Sequence, residues 1–217
     1  MLREIFENLD LHCSKWDNYF DVYEKHFEKF IGKSPVIVEV GICQGGSAEM
    51  WKKYFGEGVT VVGIDIQDCS KYSTDGCIQI IGDQSSSSFW DDFLIKYPSI
   101  DIFIDDGSHY SSHQKLTLSK VWPHINDGGV YLCEDTHTNI WPEFGSNVDN
   151  DSSFLNFSKK LTDVLLYKHF RGPDNKEFLE LVDFYKNISS INFYDSVVVF
   201  TKNKETPINN VWSRNPS

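Results

Sequence analysis

At 217 residues, 40% apolar and 15% aromatic, the chain suits one domain with a substantial core and leaves little room for a second. A formal charge of -12 and the lack of a Lys/Arg cluster exclude nucleic acid and an anionic membrane surface as partners, because both demand a basic face. No apolar run is long enough for a signal peptide or a bilayer span, which leads to the expectation of a cytoplasmic protein.

In chain order, residues 17–31 place Phe20, Tyr23, Phe27 and Phe30 at helical spacing, with Asp17 as the expected N-cap. This helix either covers one edge of a sheet or takes part in a subunit contact of a homo-oligomer. Val36–Val40 is the first expected strand, followed by the loop Gly41-Ile-Cys-Gln-Gly-Gly46 and a helix from Ser47 to Phe55. Further strands are expected at Val59–Ile66, Ile78–Ile81, from Ile100 to the acids at 105 and 106, and at Val130–Cys133. Helices are expected between them, starting at the serines 85–88 and at Ser111. The last of these strands enters through an Asp127-Gly128-Gly129 turn. Asn139 to Asp151 is a polar loop of the kind that covers a site. Helices over 152–169 and 175–185 and two short strands meeting at Asp195-Ser196 complete the reading, with a loose polar tail after Lys202. Alternating strands and helices predict a doubly wound, mostly parallel α/β sheet with an antiparallel C-terminal strand. The whole of 1–217 is expected to be one domain, with 1–34 as an N-terminal helical cap. Five cysteines without C-x-x-C spacing argue against a disulfide framework or a zinc site; Cys43 and Cys133 are expected to be small buried residues.

In such a sheet, ligands sit at the strand ends, and here those ends are acidic. Glu39 precedes Gly41, Gly45 and Ser47, whose loop and helix start let a ligand approach the backbone. Asp65, with Ile66 beside it, ends the second strand and is placed to accept ribose hydroxyls. Asp83 and Gln84 end the third and suit an adenine amino group, and Asp105 joins this set. The G-x-G-x-x-G pattern of a dinucleotide site is absent, and acidic walls repel a pyrophosphate but attract the sulfonium and ammonium of S-adenosylmethionine. Turn chemistry alone accounts for any one of these acids, but less easily for the ordered set.

Asp106, Glu134 and Asp135 end neighbouring strands about 4.8 Å apart. Three such anions repel unless a cation sits among them, and oxygen ligands favour Mg2+; capping is the alternative reading. His109, three residues past Asp106, is placed to take a proton. His113, expected on the exposed face of the next helix, and His137 are its rivals. His137, Thr138 and Trp141 are candidates for contact with an acceptor, with Phe144 alongside.

The segments Phe20-Asp-Val-Tyr-Glu-Lys-His-Phe27, Val38-Glu-Val-Gly-Ile-Cys-Gln-Gly-Gly-Ser47, Ile81-Gly-Asp-Gln84, Ile104-Asp-Asp-Gly-Ser-His109 and Glu134-Asp-Thr-His-Thr138 together resemble the metal-dependent class I methyltransferases. The nearest group holds the macrolide-sugar O-methyltransferases of mycinamicin and macrocin type and the cephalosporin hydroxylase-like proteins. Phe193-Tyr-Asp-Ser-Val-Val-Val199 is similar too, so the likeness covers nearly the whole chain. It implies Mg2+ on Asp106, Glu134 and Asp135, His109 as base, and methylation of a hydroxyl of a sugar or glycoside. A catechol-like or other small acceptor would use the same acids. An NAD-linked oxidoreductase usually has a Tyr-x-x-x-Lys pair, and no tyrosine here has Lys four residues on. Macrolide-acting relatives often carry a separate N-terminal domain, whereas only about 35 residues precede the first strand here.

Overall fold

A computed structural model describes residues 1–72, 76–147, 153–173, 175–204, 209 and 211. Its centre is a seven-stranded sheet of β1 (Val36–Val40), β2 (Thr60–Asp65), β3 (Cys77–Ile81), β4 (Ile100–Asp105), β5 (Ile125–Cys133), β6 (Ile188–Tyr194) and β7 (Val197–Lys202). The strand order is β3-β2-β1-β4-β5-β7-β6; the first five are parallel, and β7 pairs antiparallel with both β5 and β6. The order reverses between β1 and β4, and a crevice at the carboxyl ends follows from that reversal.

Strand alternation sorts the side chains into two cores. Val38, Val40, Phe103, Tyr131 and Cys133 face α4 (Ser87–Lys96), α5 (Ser111–Val121), α6 (Phe154–Val164) and α7 (Lys176–Tyr185). Ile37, Ile102, Ile104, Val130 and Leu132 face α1 (Leu2–Glu7), α2 (Tyr19–Phe27) and α3 (Gly46–Phe55). The N-terminal helices are thus part of the sheet's own core, with Leu2, Tyr23 and Phe27 fully buried beside Trp51.

Several expectations need correction. The helical region expected over 1–34 holds a second helix, α1, ahead of α2, and Asn18 rather than Asp17 precedes α2, without a capping side-chain bond. Asp127-Gly128-Gly129 is not a turn before β5 but lies within it, where the pairing with β4 skips from Ile100–Ile125 to Ile102–Val130. Such an irregularity adds residues on one strand only. Cys133 is buried as expected, whereas Cys43 is exposed on the loop after β1 with φ +45°. The polar loop forms short 3-10 turns at Thr136–Ile140 and Pro142–Phe144; its part over 148–152 lies outside the described residues, as does most of the tail after Lys202.

Candidate active site

Of the cavities at the strand ends, two meet at the Asp106-Gly107 step that follows β4. The first, about 200 Å3, is lined by Gly41, Asp65, Ile66, Asp83, Gly107 and Ser108, among others. Gly41 is required here: at φ +93° a Cβ would stand 1.9 Å from the carbonyl oxygen of Asp106. Asp65 accepts from the N–H of Cys43 and of Gln67, both at 2.9 Å, which fixes its carboxylate at the cavity mouth with a lone pair left on each oxygen. Ile66 is 67% exposed, an apolar surface left open at the end of β2. Asp83 is held by the backbone N–H and hydroxyl of Ser85, which keep its carboxyl below the ordinary range.

Of the other residues expected to touch a ligand here, Gln84 lines the cavity too, while the side chains of Asp105 and Ser47 bond within the protein. Gln84 is buried; it donates to Asp105 Oδ1 and Thr117 Oγ1 and accepts from the Ser108 N–H. Asp105 has the parity of Phe103, so it turns toward α4 and α5, where Tyr131 and Gln84 occupy both its oxygens. Burial pushes its carboxyl up to about 6, against the hydrogen bonds from Tyr131 and Gln84. Gly45 and Gly46 meet the chain itself: a Cβ would stand 2.6 Å from the Tyr72 carbonyl and 2.4 Å from that of His12. Ser47 hydrogen-bonds Glu39. His113 is not exposed as expected; it lines the cavity and shares a 2.7 Å hydrogen bond with Ser108.

The second cavity, about 380 Å3, is lined by Ser14, Lys15, Trp16, Tyr19, Asp106, Glu134 and Asp135. Both volumes are smaller than the 760 Å3 hollow between α6 and α7, whose walls include none of the strand-end residues. Chemistry, not size, selects the smaller two. Glu39 and Glu134 share the parity of Ile37 and Leu132 and so point to the α1–α3 side, where they meet Lys15. The Lys15 ammonium lies 2.7 Å from Asp106 Oδ2, 2.9 and 3.1 Å from the two oxygens of Glu134 and 3.3 Å from Glu39 Oε1. Tyr23 donates to Glu134 at 2.6 Å and the Trp51 indole to Glu39 at 2.8 Å. Burial alone would drive the proton off Lys15, but Asp106 and Glu134 outweigh it and hold the ammonium charged. Glu134 is pushed up by burial and by Asp106, with Lys15 opposing.

The expected triad of carboxylates is therefore divided. Ligand atoms cluster as Glu39, Asp106 and Glu134 around the lysine, and as Asp106, His109 and Asp135 on the more open side. Asp106 belongs to both. His109 and Asp135 both have positive φ, a conformation non-glycine residues adopt at functional sites more than elsewhere. A network runs from Asp135 to Tyr19 (2.5 Å), on to Ser196 (2.9 Å) and to His137 (2.5 Å). Thr138 is buried and donates to the carbonyl oxygens of His109 and Asp135, so it braces the site from behind. The His137 ring packs edge-on between Trp16 and Trp141, which are 60% and 42% exposed. Phe144 packs against His109 and Trp141.

The carboxylate oxygens gathered on both sides of Asp106 are the donors that suit a hard divalent ion. Sequence reasoning missed Lys15, Trp16, Tyr19 and Tyr23. The signal was electrostatic: converging buried acids need a cation, and Lys15 lies in the irregular stretch before α2 that carries no periodicity.

No protein-family model matches the chain. It is 36% identical, over 72% of its length and 44% of the relative's, to 8-demethyl-8-alpha-L-rhamnosyl tetracenomycin-C 2'-O-methyltransferase of Streptomyces olivaceus. It is 31% identical, over 84% of its length and 47% of the relative's, to mycinamicin VI 2''-O-methyltransferase of Micromonospora griseorubida. The chain spans about half the length of these curated relatives. Among solved structures it matches the MycE methyltransferase from the mycinamycin biosynthetic pathway in complex with Mg and SAH, with a TM-score of 0.81 and 27% identity over 94% of this chain and 54% of that one.

Proposed function

The chain is a homologue of the sugar O-methyltransferases of macrolide and tetracenomycin glycosides, and on that premise we propose that it transfers a methyl group from S-adenosylmethionine to a hydroxyl of a glycoside sugar. The observation that carries this reading is the placement of the two cavities. One, with Asp65 and the apolar Ile66 at its mouth, suits an adenosine; the other is acidic, and Asp106-Gly107 separates them.

In this reading Asp65 accepts the ribose hydroxyls, and the exposed face of Ile66 covers the adenine. Glu39, fully buried and bonded by Trp51, Ser47 and Lys15, lines neither cavity and offers the cationic methionine end its charge from a distance. Asp106, which belongs to both groups of acids, would hold Mg2+ together with Glu134 and Asp135, and the ion would supply Lewis-acid activation of the sugar hydroxyl. His109 faces the open side of the rim and takes the hydroxyl proton at Nε2, so that the oxygen can attack the methyl carbon in line with the departing sulfur. Trp16 and Trp141 offer ring faces to the apolar side of the sugar.

The five free cysteines support a reducing, cytoplasmic setting. Among the described residues no helix is long and apolar enough to cross a membrane. The test is incubation with S-adenosylmethionine and glycosides bearing free vicinal hydroxyls, with mass spectrometry of the product. The expected result is one added methyl on the sugar, lost with EDTA and restored by Mg2+. Turnover of catechols but of no glycoside would overturn the sugar assignment.

A further inference from the structure

The proposed chemistry leaves one buried charge without a task. The Lys15 side chain is 2% exposed, and its ammonium stands among four oxygens from three carboxylates at 2.7 to 3.3 Å. That is more acceptors than its three hydrogens can serve singly, an arrangement closer to a cation's coordination shell than to an ordinary ion pair. Both oxygens of Glu134 and one of Asp106 are engaged in this way. These are two of the three carboxylates assigned above to a divalent ion, and two cations cannot share the same lone pairs at close range without strong repulsion.

The local chain gives the lysine somewhere to go. Lys15 belongs to the irregular segment between α1 and α2, anchored upstream where the N–H groups of Asp10 and Leu11 bond Glu49. Its side chain borders the 380 Å3 cavity shared with Ser14 and Trp16.

We propose that Lys15 is a resident stand-in for the divalent ion: in the ion-free enzyme its ammonium holds Glu134 and Asp106 together, and the ion displaces it toward the adjoining cavity on binding. The lysine keeps the acids converged without metal and lowers the enzyme's affinity for the ion. This rests on the reading that Asp106, Glu134 and Asp135 hold a divalent ion.

The experiment is an equilibrium titration with Mn2+ alone, free ion read by electron paramagnetic resonance, on the wild type and on Lys15→Met. Methionine keeps the length of the side chain and removes the charge. At least tenfold tighter Mn2+ binding by the variant is expected. Wild-type binding with an unchanged or weaker variant would overturn the lysine's role and leave the ion reading standing. No binding by either protein would overturn both. Should the variant not fold, amine labelling of the wild type with acetic anhydride, read by mass spectrometry, decides the matter. Lys15 is expected to be protected without ion and labelled several-fold faster with saturating Mn2+; equal protection in both states overturns the exchange.

Discussion

His109 Nε2 stands 3.7 Å from Asp135 Oδ2, although the two residues follow different strands. Each holds a left-handed backbone that costs a non-glycine residue about 1–2 kcal/mol. Thr138, donating to the His109 carbonyl, and Tyr19, bonded to the Asp135 carboxylate and N–H, offset that cost. The imidazole is thereby held with Nε2 toward the Asp135 carboxylate and Nδ1 buried. Replacing His109 by Gln is expected to lower kcat by about 100- to 10,000-fold, as for loss of a general base. Binding of S-adenosylhomocysteine, measured by calorimetry, should stay unchanged. A variant with wild-type kcat would remove His109 from the mechanism.

Asp65 supplies the donor test. Loss of a charged acceptor for ribose hydroxyls costs about 1.5–3 kcal/mol, or roughly 10- to 150-fold in affinity. Asp65→Asn should weaken S-adenosylhomocysteine binding by that factor in calorimetry. Because Asp65 also accepts from Cys43 and Gln67, the melting temperature of the variant is the necessary control. Undiminished binding by a folded variant would place the donor elsewhere.

Tyr19 tests the outer carboxylate. Its hydroxyl lies 2.5 Å from Asp135 Oδ1 and 2.9 Å from Ser196 Oγ, so Tyr19→Phe frees Asp135 to rotate while keeping the buried ring. Residues that orient metal ligands are typically worth 10- to 100-fold in affinity. Mn2+ binding is expected to weaken by about tenfold, with methyl transfer recovering at high Mg2+. If Mn2+ binding is unaffected, Asp135 is not a ligand.

The fold was legible because each of the five parallel strands announces itself twice, by its apolar run and by the acid or glycine at its end. Val36–Val40 is bounded as expected, and the strand from Ile100 ends at the first of the two expected acids, Asp105. The site was legible by type and less so by direction. Asp105 and Asp106 are neighbours in sequence, yet strand alternation sends the first toward Tyr131 and leaves the second at the crevice. Counting parity from Phe103 would have separated them. Lys15 was not legible: its partners are 24, 91 and 119 residues away, and nothing local distinguishes it from a solvated lysine.

Gly41 is where backbone geometry, not charge, decides. Its φ of +93° disfavours any side chain, and an added Cβ would meet the Asp106 carbonyl oxygen at 1.9 Å. Since β1 and β4 pair directly, the contact is relieved only by parting the two strands at the crevice. Gly41→Ala is expected to cost more than about 3 kcal/mol in urea unfolding and to abolish S-adenosylhomocysteine binding. A stable variant that still binds would show the loop is not held against β4 in solution.

A pH dependence of stability follows from His26, away from the rim. The ring is 9% exposed on α2 and its Nε2 lies 2.9 Å from the Tyr194 hydroxyl, with Lys25 and Lys29 as the nearby charges. Burial, helped by the two lysines, lowers its pKa to about 4. The unfolded imidazole, at about 6.5, binds a proton more readily than the folded one. The stabilisation is therefore complete above pH 6.5 and is lost as pH falls through the window from 6.5 toward 4. Between pH 7 and pH 5 the wild type should lose about 2 kcal/mol from this group, at 1.36 kcal/mol per pK unit. The measurement is the difference in urea unfolding free energy between wild type and His26→Gln at the two pH values, which cancels the carboxylates common to both. The variant is expected to close on the wild type by that amount at pH 5; a constant difference would mean that His26 titrates normally in the folded chain.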